Sequence, residues 1–206
     1  MKINPDEHET ALIYKLMTGT IVPRPIGWIS TIDENGTFNL APYSFFNAMS
    51  ADPPHVVFGS GRRAGANKDT VSNILETGEF VVNLVTEPTA EAMNVTATET
   101  TPEVDEFRLA NLTPLPSEVV KAPRVGESTV NFECKMVHHY QVQGSRGDGS
   151  MIVIGQVVMM HVDDDILGEN NRIDYGVYKP VGRLAGSGYC RVSDIFDLER
   201  PPSQLA

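Results

Sequence analysis

The hydrophobic and polar residues of this chain mostly alternate with the period of β-strands, and helical periodicity appears only in short stretches. Residues 26–32, 55–59 and 79–85 have the apolar and β-branched composition of strands. The Asn35-Gly36 pair behind the first of them is typical of a tight hairpin turn. The first strand is therefore predicted to fold back onto the residues that follow this turn.

Two longer strand patterns, at residues 129–142 and 151–162, surround a Gly-rich link at 144–149. Together they predict a long antiparallel hairpin, because the link has the composition of a turn. Within the link, the tripeptide Arg146-Gly147-Asp148 is interpreted as turn chemistry and is given no functional role.

Helical periodicity marks regions between the strands. An apolar stripe predicts a peripheral helix over residues 5–17 that ends at Gly19. Residues 69–76 place apolar side chains on one face, and Gly78 supplies the stop. A further short helix is expected near residue 88, where a proline suits the first helical turn.

Two segments lack a clear period. Residues 98–123 contain polar turns, several prolines and a short helical pattern at 104–109, and they are predicted to form a long surface excursion. Residues 167–206 are predicted to form an extended C-terminal tail. Strands joined by hairpins, without regular βα alternation, predict a mainly β fold with α decorations, arranged as an antiparallel barrel. A chain of 206 residues can bury the core of one domain, so residues 1–206 are interpreted as a single domain.

Charge and composition exclude several classes of partner. The formal net charge is −11 at pH 7, which repels nucleic acid and anionic membranes, and no apolar run is long enough to span a bilayer. The N-terminal residues lack the pattern of a secretion signal, so a cytoplasmic location is expected. Cys134 and Cys190 are far apart and predict reduced thiols rather than a disulfide. The histidines show no ligand spacing, so no metal site is expected.

The loop at residues 60–70 concentrates positive charge in an otherwise acidic chain. Arg62, Arg63 and Lys68 precede a predicted helix whose free N–H groups favour an anion, and Ser60 and Thr70 add hydroxyl donors. This pattern suits a terminal phosphate. The alternative is that Asn67, Asp69 or Thr70 caps the helix while the arginines are simply solvated.

A second candidate region, residues 39–47, mixes amides and hydroxyls with proline and phenylalanine. Such a mixture suits a flat heteroaromatic ligand, although a turn at a barrel corner explains it equally well. Neither Gly59-Ser60-Gly61 nor Gly186-Ser187-Gly188 completes a dinucleotide or P-loop motif. There is also no nucleophile elbow, so any redox chemistry is expected to come from a cofactor.

Taken in order, five motifs resemble the flavin reductase-like proteins that have an FMN-binding split barrel, the group that includes flavoredoxin. They are Arg24-Pro25-Ile26-Gly27-Trp28-Ile29-Ser30-Thr31, Asn39-Leu40-Ala41-Pro42-Tyr43-Ser44-Phe45-Phe46-Asn47, Pro53-Pro54, Lys68-Asp69-Thr70 with Asn73-Ile74, and Gly182-Arg183-Leu184 with Tyr189. The similarity covers residues 18–202. Each motif is weak alone, and their order and spacing make the resemblance specific.

The resemblance implies a homodimer of antiparallel six-stranded split β-barrels, with one FMN per subunit near the dimer interface. Carried over by position, the expected cofactor-binding residues are Trp28, Ile29, Ser30 and Thr31 along the flavin and ribityl chain; Asn39, Ala41, Pro42, Tyr43 and Ser44 at the isoalloxazine edge; Ser60, Arg62, Lys68 and Thr70 around the phosphate; and His161 and Arg183. Asp69 is expected to cap the helix or to orient Lys68.

The implied activity is that of an NAD(P)H-dependent flavin reductase, in which no side chain acts as the catalyst because flavin N5 carries the chemistry. NADH or NADPH is the expected reductant, and the electrons pass to free flavin, a partner oxygenase, a ferric complex or another acceptor. Two alternatives stay open. One is an FMN-binding electron-transfer or sensor protein with little nicotinamide activity, and the other is a related split-barrel module that binds haem or pyridoxal phosphate.

Overall fold

The structure is a computed structural model that describes residues 1–145 and 147–204. Its strands are β1 (Gly27–Ile32), β2 (Phe38–Tyr43), β3 (Phe46–Ala51), β4 (Pro54–Gly61), β5 (Glu79–Leu84), β6 (Pro114–Leu115), β7 (Arg124–Val125), β8 (Val130–Val142), β9 (Ser150–Val162), β10 (Val181–Arg183) and β11 (Tyr189–Arg191). Its α-helices are α1 (Thr10–Thr20), α2 (Asp69–Thr77), α3 (Ala90–Val95), α4 (Glu106–Leu109) and α5 (Tyr175–Tyr178). Short 3-10 turns are Pro5–Glu7, Glu87–Thr89, Asp164–Ile166 and Glu169–Asn171.

The main sheet is antiparallel and contains seven strands among the described residues, in the order β2-β1-β5-β8-β9-β4-β3. The prediction of a β barrel with α decorations is confirmed, with seven strands rather than six. The β1–β2 hairpin forms where the Asn35-Gly36 pair predicts it, and Gly36 has the positive φ of 87° that such a turn requires. The β8–β9 hairpin is also confirmed. Arg146 of the Arg146-Gly147-Asp148 tripeptide lies outside the described residues.

The two ends of the sheet curl towards each other to close a barrel. The Gly59 N–H in β4 donates to the Phe45 carbonyl in the β2–β3 link across 2.7 Å, which extends the β3–β4 ladder by one residue. The rings of Tyr43 in β2 and Phe58 in β4 pack 5.0 Å apart. Strand β2 is thus held against β4 although the two strands are not neighbours in the sheet order.

Hydrophobic layers cover both faces of β1. Ile29 points into the barrel core, whereas Trp28 packs on the outside against Met93 and Phe107. Both β1 side chains are fully buried, because the segment containing α3 and α4 covers the outer face of the barrel. The sequence pattern marks both residues as apolar but cannot assign their sides.

Three segments differ from the prediction. The helix predicted over residues 5–17 is shifted along the chain, since Pro5–Glu7 form a separate 3-10 turn and α1 runs from Thr10 past Gly19 to Thr20, ending before Pro23. The segment at 98–123 is not a simple surface excursion, since α4 buries Phe107 in the outer layer. The C-terminal region is not extended throughout, because β10 and β11 form a hairpin. Among the described residues, no helix is both long and apolar enough to cross a bilayer.

Candidate functional site

A cleft of about 390 Å³ opens between strand β2, the start of α2 and the residues that follow α3. The cleft brings together two regions of the chain that sequence motifs single out, 39–43 and 68–70. The predicted site residues that line it are Asn39, Ala41, Pro42, Tyr43, Lys68 and Thr70. Its third wall, residues 96–106, is called the cleft segment below.

Hydrogen bonds join the first two walls. The Asn39 side-chain amide donates to the Thr70 hydroxyl across 2.8 Å and also approaches the Thr31 hydroxyl at 3.3 Å. The amide of Asn73, one turn further along α2, donates to the same Thr31 hydroxyl at 3.0 Å. This buried network fixes the start of α2 relative to β1 and β2.

The outer edge of β2 is covered by a carboxylate. The Leu40 N–H donates to Glu106 Oε2 at 3.0 Å, so this N–H points away from β1. Backbone directions alternate along a strand, which places Pro42 at an equivalent edge position. A proline has no N–H to leave unpaired there, and this explains how it fits in the strand.

Helix α2 begins at the cleft without a side-chain cap. Its N-cap residue is Lys68, in an extended conformation, and no side chain accepts from the first N–H groups. The alternative that Asn67, Asp69 or Thr70 caps this helix is therefore wrong, because Asp69 and Thr70 already lie inside it. The positive end of the helix dipole, with Lys68 beside it, is exposed to the cleft.

A cluster of hydroxyl groups lies below the helix start. Tyr43 Oη is buried and has no hydrogen-bond partner of good geometry among the described residues. The nearby hydroxyls of Thr70 and Ser60 are its polar neighbours. Burial raises the pKa of the Tyr43 phenol, and the two hydroxyls oppose that shift, so it remains a protonated donor at neutral pH.

Charged groups of both signs surround the cleft. Arg63 forms an ion pair with Glu99 across the mouth, and both side chains are substantially exposed. Burial raises the pKa of Asp69, while Arg63 opposes that rise. Burial likewise raises the pKa of Glu106, although its bonds with the Leu40 N–H and the Thr100 hydroxyl oppose the shift. The cleft thus combines an anion-favouring helix start with carboxylates that resist ionisation.

The predicted site residues of β1 do not line the cleft. Trp28 Nε1 donates to the Thr96 hydroxyl at 2.8 Å, and Ile29 is part of the barrel core. The Ser30 hydroxyl donates to the Pro123 carbonyl and accepts from an asparagine amide, so it too is internally satisfied. Because these side chains are buried, β1 supports the cleft from behind rather than forming its surface.

Arg62 and Ser44 also lie away from the cleft lining. The Arg62 guanidinium is bound by its own loop, where it donates to the Asn67 side chain at 3.2 Å and to the Gly65 carbonyl. The neighbouring Arg63 takes the position at the cleft. Ser44 instead accepts from the buried Arg24 guanidinium at 3.3 Å.

His161 and Arg183 make contacts elsewhere in the barrel. His161 Nε2 lies 2.7 Å from Glu133 Oε1, on the β8–β9 hairpin. Arg183 stacks over the Tyr189 ring, 4.5 Å from its centroid, and donates to the Gly188 carbonyl at 2.9 Å. Neither side chain lines the cleft within this chain.

Several cleft residues carry no recognisable sequence signal. They are Glu99, Thr100 and Glu106, all in the segment predicted as a surface excursion, whereas Arg63 and Asp69, which also line the cleft, belong to the loop at residues 60–70 that the sequence marks as a candidate site. The sequence offers one cue in this segment, because Asp105 precedes a short helical pattern. In the structure its side chain caps α4 by accepting from two N–H groups. It predicts a helix start, not a position at the cleft.

Comparisons with known proteins agree with the geometry. Residues 18–181 match the family model described as a flavin reductase like domain. The nitrilotriacetate monooxygenase component B from Bacillus cereus is 38% identical, with a TM-score of 0.92 over 96% of this chain and 98% of that one. The 2-nitrobenzoate 2-nitroreductase of Pseudomonas fluorescens is 31% identical, with a TM-score of 0.86 over 99% and 100% of the two chains.

A protein with a split barrel domain from Shewanella frigidimarina is 24% identical and has a TM-score of 0.83, over 98% of this chain and 100% of that one. That likeness supports the fold, and it identifies the observed barrel as the split-barrel type. The family match covers most of the chain, including the cleft, β1 and the whole β8–β9 hairpin. The chain therefore belongs to the flavin reductase-like family and is a flavin reductase-like oxidoreductase.

Proposed function

We propose that the protein binds FMN in the cleft between β2 and α2 and uses it as an NAD(P)H-dependent flavin reductase. When bound, the flavin supplies the redox chemistry, taking a hydride from a reduced nicotinamide and passing electrons to an acceptor. The chain's own part is to bind and orient this group. No side-chain acid or base is required for it.

The observation that carries the proposal is the bare start of α2. Its free N–H groups, the Lys68 ammonium and the Thr70 hydroxyl converge on one end of the cleft. The buried Tyr43 hydroxyl, for which the described residues supply no partner of good geometry, lies beside Thr70 at the same end. An anion with several acceptor oxygens satisfies this set of donors, and a phosphomonoester is such an anion.

The remaining wall suits the flavin body. Ala41 and Pro42 offer an apolar strip on β2, and Asn39 offers an amide at its end. A volume of about 390 Å³ lies within the range of small-molecule sites. Trp28, Ile29, Ser30 and Thr31 serve in this proposal as the rigid support of β2.

The proposal includes a homodimer with the flavin near its interface. Support comes from large apolar side chains that remain exposed on one chain, among them Phe45 and Met49 next to the β2–β3 link. His161 and Arg183, which lie outside the cleft of their own chain, are candidates to approach the partner's flavin. Light scattering of the purified protein tests the dimer, and a monomer at micromolar concentration contradicts it.

Two relatives support the choice of acceptor. One carries the name of a monooxygenase component and the other that of a nitroreductase acting on 2-nitrobenzoate. We propose that electrons pass to free flavin, to a partner oxygenase or to another small acceptor. The proposal includes a cytoplasmic location, which suits Cys134 and Cys190, both of which are free.

The decisive experiment uses purified protein loaded with FMN. The expected result is a flavin absorption spectrum that bleaches rapidly when NADH or NADPH is mixed in without oxygen and returns when an acceptor is added. Tight FMN binding with slow or absent bleaching instead identifies an electron-transfer or sensor protein. A colourless protein that does not bind added FMN, or one with a Soret band, contradicts the flavin proposal.

A further inference from the structure

Glu106 connects two walls of the cleft through its two carboxylate oxygens. Oε2 accepts the Leu40 N–H of β2 at 3.0 Å, and Oε1 accepts the Thr100 hydroxyl of the cleft segment at 2.9 Å. The side chain lines the cleft, yet the residue is only 6% exposed. No ion pair found within the described residues involves it, so its charge has no direct counter-ion there.

Charged groups from every wall lie around the cleft that Glu106 lines. They are Lys68 and Asp69 at the start of α2, Arg63 before it, and Glu99 and Glu103 in the cleft segment. On its own helix, Asp105 pairs with Arg108. The negative charge of Asp69 makes ionisation of Glu106 still less favourable, because it adds to the rise in pKa that burial causes. The carboxylate is therefore poorly compensated before any ligand arrives.

An anionic ligand makes this situation worse. A phosphate at the start of α2 brings negative charge into the cleft that Glu106 lines, and like charges at short range disfavour ionisation. Protonation relieves the repulsion without breaking the local structure. A protonated Oε1 can donate to the Thr100 hydroxyl, which accepts as well as it donates, while Oε2 keeps the Leu40 N–H.

We propose that Glu106 is a positioning residue for the anionic ligand of the cleft and takes up a proton when a phosphate-bearing flavin binds. In both protonation states its side chain keeps β2 joined to the cleft segment. This inference rests on the proposed function, and it adds a coupling that the function itself does not require. Its consequence is that FMN binding is accompanied by net proton uptake from solvent, whereas riboflavin binding is not.

Calorimetry measures this directly. FMN and riboflavin are titrated into the apoprotein between about pH 6 and pH 8, in buffers of different ionisation enthalpy. The second pKa of a free phosphomonoester is about 6, and binding to cations lowers it, so the phosphate can only release protons when it binds. Any net proton uptake in this pH range is therefore by the protein. The expected result is uptake with FMN, none with riboflavin, and an FMN affinity that rises as pH falls, by up to about tenfold per pH unit for one coupled proton.

Variants assign the proton to a residue. Glu106→Gln keeps both hydrogen-bonding positions but cannot titrate, so the uptake is lost, while Glu103→Gln, an exposed carboxyl nearby, keeps it. Uptake that persists in Glu106→Gln and disappears in Asp69→Asn overturns the assignment to Glu106.

The wild-type measurement stands even if a variant fails to fold. FMN binding without proton uptake overturns this inference and leaves the proposed function intact. Failure of FMN to bind overturns both.

Discussion

Asn39 donates its side-chain amide to the Thr70 hydroxyl across 2.8 Å, and this bond joins the second strand of the barrel to the first turn of α2. The two residues belong to separate sequence motifs, one predicted to meet a flat ring and the other a phosphate. The contact places the ring-binding motif and the phosphate-binding motif on adjoining walls of one cleft. A ligand that spans the cleft must therefore match the geometry that this bond fixes.

Replacing Asn39 with Ala is expected to weaken both the fold and the cleft. The change removes a partly buried hydrogen bond to Thr70, which typically contributes about 1 kcal/mol to the free energy of unfolding. FMN and riboflavin should lose affinity together, because the wall itself moves. Urea denaturation and fluorescence titration measure the two effects. Asn47→Ala, on the exposed part of β3, is the matched control and should change neither.

The affinity for FMN should depend on the charges of Arg63 and Lys68 rather than on that of Arg62. Arg62 is held by its own loop, whereas the other two side chains line the cleft. Arg63→Ala with Lys68→Ala is expected to weaken FMN about tenfold or more, as for the loss of charge-assisted bonds, and riboflavin by less than about twofold.

The control for this pair is Lys68→Ala combined with Arg62→Ala, the combination that the sequence motifs favour. It should weaken FMN less than the first pair, because Arg63 remains in place. Equal losses for FMN and riboflavin in either double variant contradict a phosphate at this end of the cleft. Both ligands can be followed by quenching of flavin fluorescence.

The Tyr43→Phe variant is expected to affect the stability of the free protein and the binding of FMN in different ways. Within the described part of the chain, the buried Tyr43 hydroxyl has no hydrogen-bond partner of good geometry, and an unsatisfied buried group costs about 1–3 kcal/mol. Removing it should leave the unliganded protein as stable as before or more stable. If the bound flavin satisfies the hydroxyl, the same variant loses FMN affinity and gains less thermal stability from added FMN. Tyr140→Phe, an exposed tyrosine of β8, should change neither quantity.

The parts of this protein that sequence predicts are those set by local contacts. The Asn35-Gly36 turn needs only its own residues, and the same holds for the end of α2 at Gly78, which has a positive φ of 74°. The cleft segment could not be predicted, because Glu106 reaches a strand residue 66 positions away. Nothing in its neighbourhood distinguishes it from a solvated acid.

For a similar reason, the sequence could not tell which of Arg62 and Arg63 lines the cleft. Both arginines are equally basic in sequence, and both precede the same helix. What separates them is a contact with the β8–β9 turn, where Arg62 approaches the Asp148 carbonyl and the Gly65 N–H donates to the Asp148 carboxylate. These bonds join positions more than eighty residues apart, and they turn Arg62 away from the cleft. The family resemblance assigns the phosphate to Arg62, and that assignment stays a prediction; in the structure it is Arg63 that lines the cleft.

The last prediction concerns a buried carboxylate remote from the cleft. Glu133 is fully buried and accepts the N–H groups of Glu118, Val119 and Val120 at 2.6–3.1 Å, together with His161 Nε2. Burial alone raises the pKa of this carboxyl, but the hydrogen bonds outweigh that effect and hold the pKa below its usual value of 4.5. The ionised form is therefore favoured in the folded protein.

The sign of the pH effect follows from that shift. A carboxyl whose pKa is lower when folded contributes stability that is fully present above its unfolded pKa and is lost as pH falls through the folded value. Glu133→Gln should cost about 1–3 kcal/mol at neutral pH, because an amide cannot accept all four bonds. As the pH falls from about 5 to about 3, the free energy of unfolding should decrease less for the variant than for the wild type. Urea denaturation at a series of pH values measures both effects, with the exposed Glu76→Gln as control. If the variant loses as much stability at acid pH as the wild type does, Glu133 is not ionised in the folded state.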